Sequence, residues 1–127
     1  MSAGDTGPMA MMQTMLNKTL FVVLRRPANL ARAADLLEAH LNWAVAMEKR
    51  GSLFASGPFA VEQGARPGSQ GGLSILRAAS EDEVRQLLAS DPFISEGAYS
   101  ADIKRWVLME GSLTTTVRFS DQSSRIH

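Results

Sequence analysis

The run Thr19-Leu20-Phe21-Val22-Val23-Leu24 is apolar and rich in β-forming residues along its length. It is predicted as a buried strand from Lys18 to Arg25, closed by Arg25-Arg26-Pro27. A buried strand needs neighbouring strands and a covering layer, and the rest of the chain supplies both in a definite order. A helical period follows from about Leu30 to Arg50, where Gly51 gives a C-terminal stop. Ser52-Leu53-Phe54-Ala55-Ser56-Gly57 reads as a second strand ended by Pro58, and Leu73-Ser74-Ile75-Leu76-Arg77-Ala78 as a third. Between them Gln63 to Gly72 is so rich in Gly and Pro that a mobile loop is expected. Ser80 and Glu83 form a capping box for a second helix reaching about Ser90, which Asp91-Pro92 breaks. Ala98 to Met109, with Tyr99, Ile103, Trp106 and Val107, reads as a long fourth strand.

The order β-α-β-β-α-β predicts an α+β, ferredoxin-like protomer: an antiparallel sheet with both helices on one face. Its other face is rich in Val, Ile, Leu and aromatic residues, so sheet-against-sheet packing in a homodimer is expected. The domain is expected over 18–109. Residues 1–17 are expected to be a tail. Residues 110–127 are expected to form a C-terminal β extension, with a strand at Leu113–Phe119 and a turn at Ser120-Asp121-Gln122.

Composition narrows the function. With 127 residues one domain is expected. The 13 basic and 13 acidic residues cancel, so no global field favours nucleic acid or an anionic membrane. Cysteine is absent, which excludes disulfides, thiolate metal sites and a cysteine nucleophile. The apolar runs are too short to span a bilayer and no secretory signal pattern is present, so a cytoplasmic protein is expected. No His/Asp/Glu cluster has metal-ligand spacing, and Gly71-Gly72 lacks the sequel of a phosphate loop.

One polar residue interrupts the first helix's apolar face. His40 lies among Leu36, Leu37, Trp43, Ala44 and Met47 at helical spacing, which turns its ring toward the core. An unpaired polar group there would cost about 1–3 kcal/mol. Asp91 is the candidate partner: it follows Leu87 and Leu88 of the second helix by four and three residues and so points to the same side. Such a pair is a general acid–base unit without a nucleophile. A buried structural hydrogen bond is the competing reading. Ser56, Gly57 and Pro58, ending strand two, are candidate ligand contacts through close backbone approach. The tandem Arg25 and Arg26 are candidates for a substrate carboxylate or phenolate, against a solvated strand end. Trp43, Phe59, Phe93 and Trp106 are candidates for an aromatic wall, against ordinary core packing.

Several stretches resemble the YCII-related (YciI-like) family. They are Ala39-His40-Leu41 with Trp43, Gly51 to Phe59, Gly71 to Ala78, Ser90-Asp91-Pro92-Phe93 and Ile103-Lys104-Arg105-Trp106, together covering 18–107. The resemblance implies a dimeric α/β barrel and a His–Asp active-site pair, which falls on His40 and Asp91. It also implies chemistry without an organic cofactor or metal, as in a branch that looks like a dehydrochlorinase of chlorinated hydroxyhydroquinones. Members often carry Arg where this chain has Leu37 and Tyr where it has Trp43. The functional expectation is a lyase or isomerase acting on a cyclic or aromatic metabolite. A non-catalytic dimeric module that binds a small ligand is the alternative, and a cofactor-independent oxygenase a weaker third. The expected partners are a small molecule and a second copy of the chain, as a homodimer or higher oligomer.

Overall fold

The computed structural model describes residues 7–127. Its elements are α1 (Pro8–Gln13), β1 (Lys18–Pro27), α2 (Leu30–Lys49), β2 (Leu53–Pro58) and β3 (Gly72–Leu76). Then come α3 (Glu81–Ala89), α4 (Pro92–Ser95), β4 (Tyr99–Leu108), β5 (Thr115–Val117) and β6 (Ser124–Ile126). Contacts divide them into two compact units, Thr19–Val107 and the two terminal segments.

In the first unit the strands form one sheet in the order β2-β3-β1-β4. β3 runs antiparallel to both β1 and β2. This is the ferredoxin-like arrangement expected from the element order. Burial alternates along β1: Phe21, Val23 and Arg25 are buried, whereas Val22 and Leu24 are half-buried. That period of two assigns the sheet's faces. Phe21, Val23 and Leu76 pack with Trp43 and Met47 of α2 and with Val84, Leu87 and Leu88 of α3. A second cluster joins Ala33 and Leu36 of α2 to Phe93, Ala98 and Tyr99. The opposite face carries the cross-strand pairs Val22–Ile75 and Leu24–Leu73, all half-buried.

Local chemistry explains the helix ends. The Asn29 side chain accepts from the Arg32 amide at the start of α2, and Gly51 adopts φ 87° just beyond its end. Ser80 Oγ accepts from the Glu83 amide, while the Glu83 carboxylate accepts from the Ala79 amide. One helix after Ser80 was expected; there are two. α3 stops at Ala89, and Pro92 starts the single turn α4, because proline suits a first helical position and extends the residue before it.

The segment between β2 and β3 is more tied down than its composition suggests. Turns close from Glu62 to Ala65, Arg66 to Ser69 and Gly68 to Gly71, and Tyr99 Oη donates to the Gly68 carbonyl at 2.8 Å. Gly71 has φ +83°, and a Cβ there would stand 2.1 Å from the Arg25 carbonyl oxygen. Gly64 has φ +88°, yet a Cβ there would meet nothing within 4 Å. Gly64→Ala therefore carries only backbone strain, about 1–2 kcal/mol. Gly71→Ala adds a backbone clash, and its denaturant midpoint should fall clearly further than that of Gly64→Ala.

The terminal segments form the other unit. A tail was expected through residue 17, but Pro8–Gln13 is helical, with Pro8 in the first turn where its missing N–H costs nothing. Residues 1–6 of that expected tail lie outside the described residues. The Leu16 amide donates to the Met109 carbonyl at 3.1 Å. The expected extension strand at Leu113–Phe119 is shorter, Thr115–Val117, and pairs antiparallel with a strand that was not anticipated, Ser124–Ile126. Asp121 closes the turn, accepting from the Ser123 amide and hydroxyl.

Candidate active site

Asp91 is the centre of the polar cluster on the helix-covered face. It is fully buried, at 0% exposure. As N-cap of α4 its Oδ1 accepts from the Phe93 amide at 3.0 Å. The same oxygen is 2.8 Å from His40 Nδ1, and Oδ2 is 2.5 Å from Arg25 Nη1. A carboxylate so supplied with donors is ionised. Burial pushes its pKa up, but the His40 hydrogen bond and the Arg25 charge outweigh that and hold it below the usual 3.8.

The ionised acceptor fixes the ring beside it. Nδ1 of His40 carries the proton it donates to Asp91, so Nε2 is the ring nitrogen left for other contacts. Nε2 has no hydrogen-bond partner among the described residues, and the side chain is 15% exposed. The ring lies parallel to Phe93, with centroids 4.0 Å apart, and is followed one helical turn on by Trp43 at 5.9 Å. Phe93 in turn packs against Tyr99 at 4.8 Å. These rings restrict the imidazole's rotation, so its free nitrogen keeps one direction. The arrangement can take a proton, hold it beside a carboxylate and return it.

Of the other residues singled out in the sequence, Arg25 joins this cluster and Arg26 does not. Their adjacency in a strand sends them to opposite faces. Arg25 is 6% exposed on the helix side, with Nε donating to Ser74 Oγ at 2.9 Å. Arg26 is solvated and faces Asp102 of β4 at 3.5 Å. Trp43 is buried; its indole N–H donates to Ser90 Oγ at 2.9 Å, and Arg25 sits over its ring at 5.6 Å. Ser56, Gly57 and Pro58 are exposed on the edge strand, opposite Ser74, Leu73 and Gly72. Ser56 and Ser74 thus share a sheet face, two strands and one strand from Arg25 respectively. A Cβ on Gly57 would meet nothing within 4 Å, so protein packing does not require a glycine there. Of the four aromatic candidates, Trp43 and Phe93 flank His40, whereas Phe59 and Trp106 are exposed and stack on neither.

Sequence reasoning missed Ser74. Its signal was present: a hydroxyl at the inward position of the otherwise apolar Leu73-Ser74-Ile75-Leu76, 2% exposed. A concavity of about 510 Å³ lies elsewhere, along α3 beside Arg50, Ser80 and Gln86. Among the described residues no group of three or more His, Asp or Glu side chains is placed to hold a metal ion. No helix among them is long and apolar enough to cross a membrane.

A model of the YCII-related domain matches residues 18–107. No curated protein matches the chain. Among solved structures, the chain is similar to the 5-chloro-2-hydroxyhydroquinone dehydrochlorinase of Burkholderia phenoliruptrix in complex with 2,5-dihydroxybenzoquinone, at 25% identity and a TM-score of 0.58. That similarity covers 68% of this chain and 92% of the dehydrochlorinase. With most of its length matched by the domain model and the fold shared, this chain belongs to the YCII-related family.

Proposed function

We propose that the chain is a cofactor-independent enzyme of small-molecule acid–base chemistry, a lyase or isomerase acting on a cyclic or aromatic metabolite. The observation that carries this reading is the His40–Asp91 pair, with Nδ1 committed to a buried carboxylate and Nε2 without a partner. In an elimination, His40 Nε2 takes a proton from the substrate, and the electron pair left behind forms the new π bond. The carbon–chlorine bond breaks and chloride leaves with its pair. Asp91 orients the ring and stabilises the imidazolium until the proton is released, so the net change is loss of HCl. The similar dehydrochlorinase makes chlorinated hydroxyhydroquinones the first substrates to try. Trp43 and Phe93 supply aromatic surface for such a ring, while Ser56, Gly57 and Pro58 offer contacts from the sheet edge.

The working unit in this reading is a cytoplasmic homodimer. The half-buried Val22, Leu24, Leu73 and Ile75 form the sheet face that a second copy covers. Sedimentation of the purified protein should give twice the chain mass; a monomer at micromolar concentration would remove this part of the reading.

A non-catalytic ligand-binding module is the second reading. It is favoured by the complete burial of Asp91, which a structural hydrogen bond would also explain. Chloride release from 5-chloro-2-hydroxyhydroquinone, followed for the wild type and His40→Ala, separates the two. Release that depends on His40 supports the enzyme; release that His40→Ala leaves unchanged sinks it.

A further inference from the structure

Arg25 is over-determined for a residue that only balances a charge. A guanidinium presents five donors in one rigid plane. Nε is held by Ser74 Oγ at 2.9 Å and Nη1 by Asp91 at 2.5 Å, which fixes that plane from the neighbouring strand β3 and from α4's N-cap. Trp43 lies along the guanidinium at 5.6 Å. Nη2 is buried and has no hydrogen-bond partner among the described residues. Buried donors are nearly always satisfied, and an orphan on a charged group calls for a missing partner. A lysine would neutralise Asp91 without leaving a second nitrogen unmatched.

We propose that Arg25 Nη2 is the anion-recognition donor of this site, held free for an ionised oxygen, carboxylate or acidic enol, on the ligand that His40 acts upon. The proposal rests on the reading of His40 and Asp91 as a ligand site. Asp91 bridges Nη1 of Arg25 and Nδ1 of His40, so one carboxylate positions both the recognition donor and the proton acceptor. An oxygen docked on Nη2 sets the ring of the ligand relative to His40. The pairing also explains why Ser74 is polar: it orients the guanidinium without adding charge, so Nη2 keeps its electrostatic preference for an anion.

Nη2 is buried, so a neighbouring element must give way for a ligand to reach it. The 60–72 loop is one neighbour of Arg25, touching it at the backbone. Gly71 packs on the Arg25 carbonyl, and a single side-chain bond, Tyr99 Oη to the Gly68 carbonyl, ties the loop to β4. Burial raises the Tyr99 pKa, with the Arg25 charge only partly offsetting it, so the hydroxyl remains a donor to that carbonyl.

The test is calorimetric titration of the full chain with benzoate, with 2,5-dihydroxybenzoquinone as its enolate, and with benzamide as the uncharged isostere of benzoate. The wild type should bind at least one anion about tenfold or more tighter than benzamide. The preferred anion tells carboxylate from enolate. Arg25→Lys should lose the preference, and His40→Ala should keep it. In the unmodified protein, the Arg25 Nη resonances in a nitrogen-15 spectrum should move on saturation with the preferred anion, which makes the test independent of whether the variant folds. The proposal is overturned if the wild type binds neither anion or shows no preference, if Arg25→Lys retains the preference, or if the Arg25 resonances stay still at saturation. Anion preference that survives alongside turnover indifferent to His40→Ala would sink the acid–base reading and leave this one standing.

Discussion

Asp91→Asn should destabilise the chain by about 3–5 kcal/mol, read as a drop in the free energy of unfolding by denaturant. The carboxylate is fully buried and serves three donors: Arg25 Nη1, His40 Nδ1 and the Phe93 amide. The amide of asparagine preserves its size but not its charge, so Arg25 becomes a buried cation without an anion. Arg25→Met should cost less, because Asp91 would keep its hydrogen bonds from His40 and the Phe93 amide. That asymmetry distinguishes a buried charge balance from simple packing, in which the longer side chain would matter more.

The same carboxylate sets an acid limit. Its pKa is lower in the folded chain than the ordinary 3.8, so the unfolded state binds its proton first as pH falls. The stabilisation is complete above that ordinary value, declines as pH drops below it, and is gone once pH has passed the folded value. Stability measured across this acid range should fall in the wild type and be flatter in Asp91→Asn.

The second large effect is on turnover. His40→Ala should lower kcat by about 10²–10⁴-fold on a substrate that the wild type converts. The fold should be retained, since His40 is only half-buried and α2 keeps Ala33, Leu36, Trp43 and Met47 against the core. His40→Gln keeps a donor for Asp91 but provides no proton acceptor of comparable basicity, so it should restore stability without restoring rate. Recovery of both by glutamine would point to a purely structural hydrogen bond.

Much of this arrangement was legible in the chain. The β-rich run from Thr19, the capping box at Ser80 and the Gly51 stop led to the element order and hence the sheet topology, because local signals and burial agree there. The His40–Asp91 approach was legible in part: the phase of α2 turns His40 toward the covered face, but Asp91 reaches it as the extended N-cap of α4, beyond the end of α3. Arg25 and Arg26 were harder to separate as a dipeptide at a strand end, although counting by twos from Phe21 and Val23 assigns Arg25 to the inside. α4 escaped because one turn is shorter than any hydrophobic period, and its only signature is Asp-Pro, which also marks ordinary turns. The tie of Gly68 to Tyr99 was beyond reach: it depends on a contact across the fold that loop composition does not encode.

The claim that unites these expectations is that ligands meet the chain at His40. Titrating the labelled protein with 2,5-dihydroxybenzoquinone, while following the His40 ring and Trp43 indole resonances, tests it most directly. The account predicts that these two signals, which lie within one helical turn, are among the first and largest to move, and that His40→Ala weakens binding. Shifts confined to the concavity beside Arg50 and Ser80, or to the β5–β6 hairpin, with His40 unmoved at saturation, would contradict it.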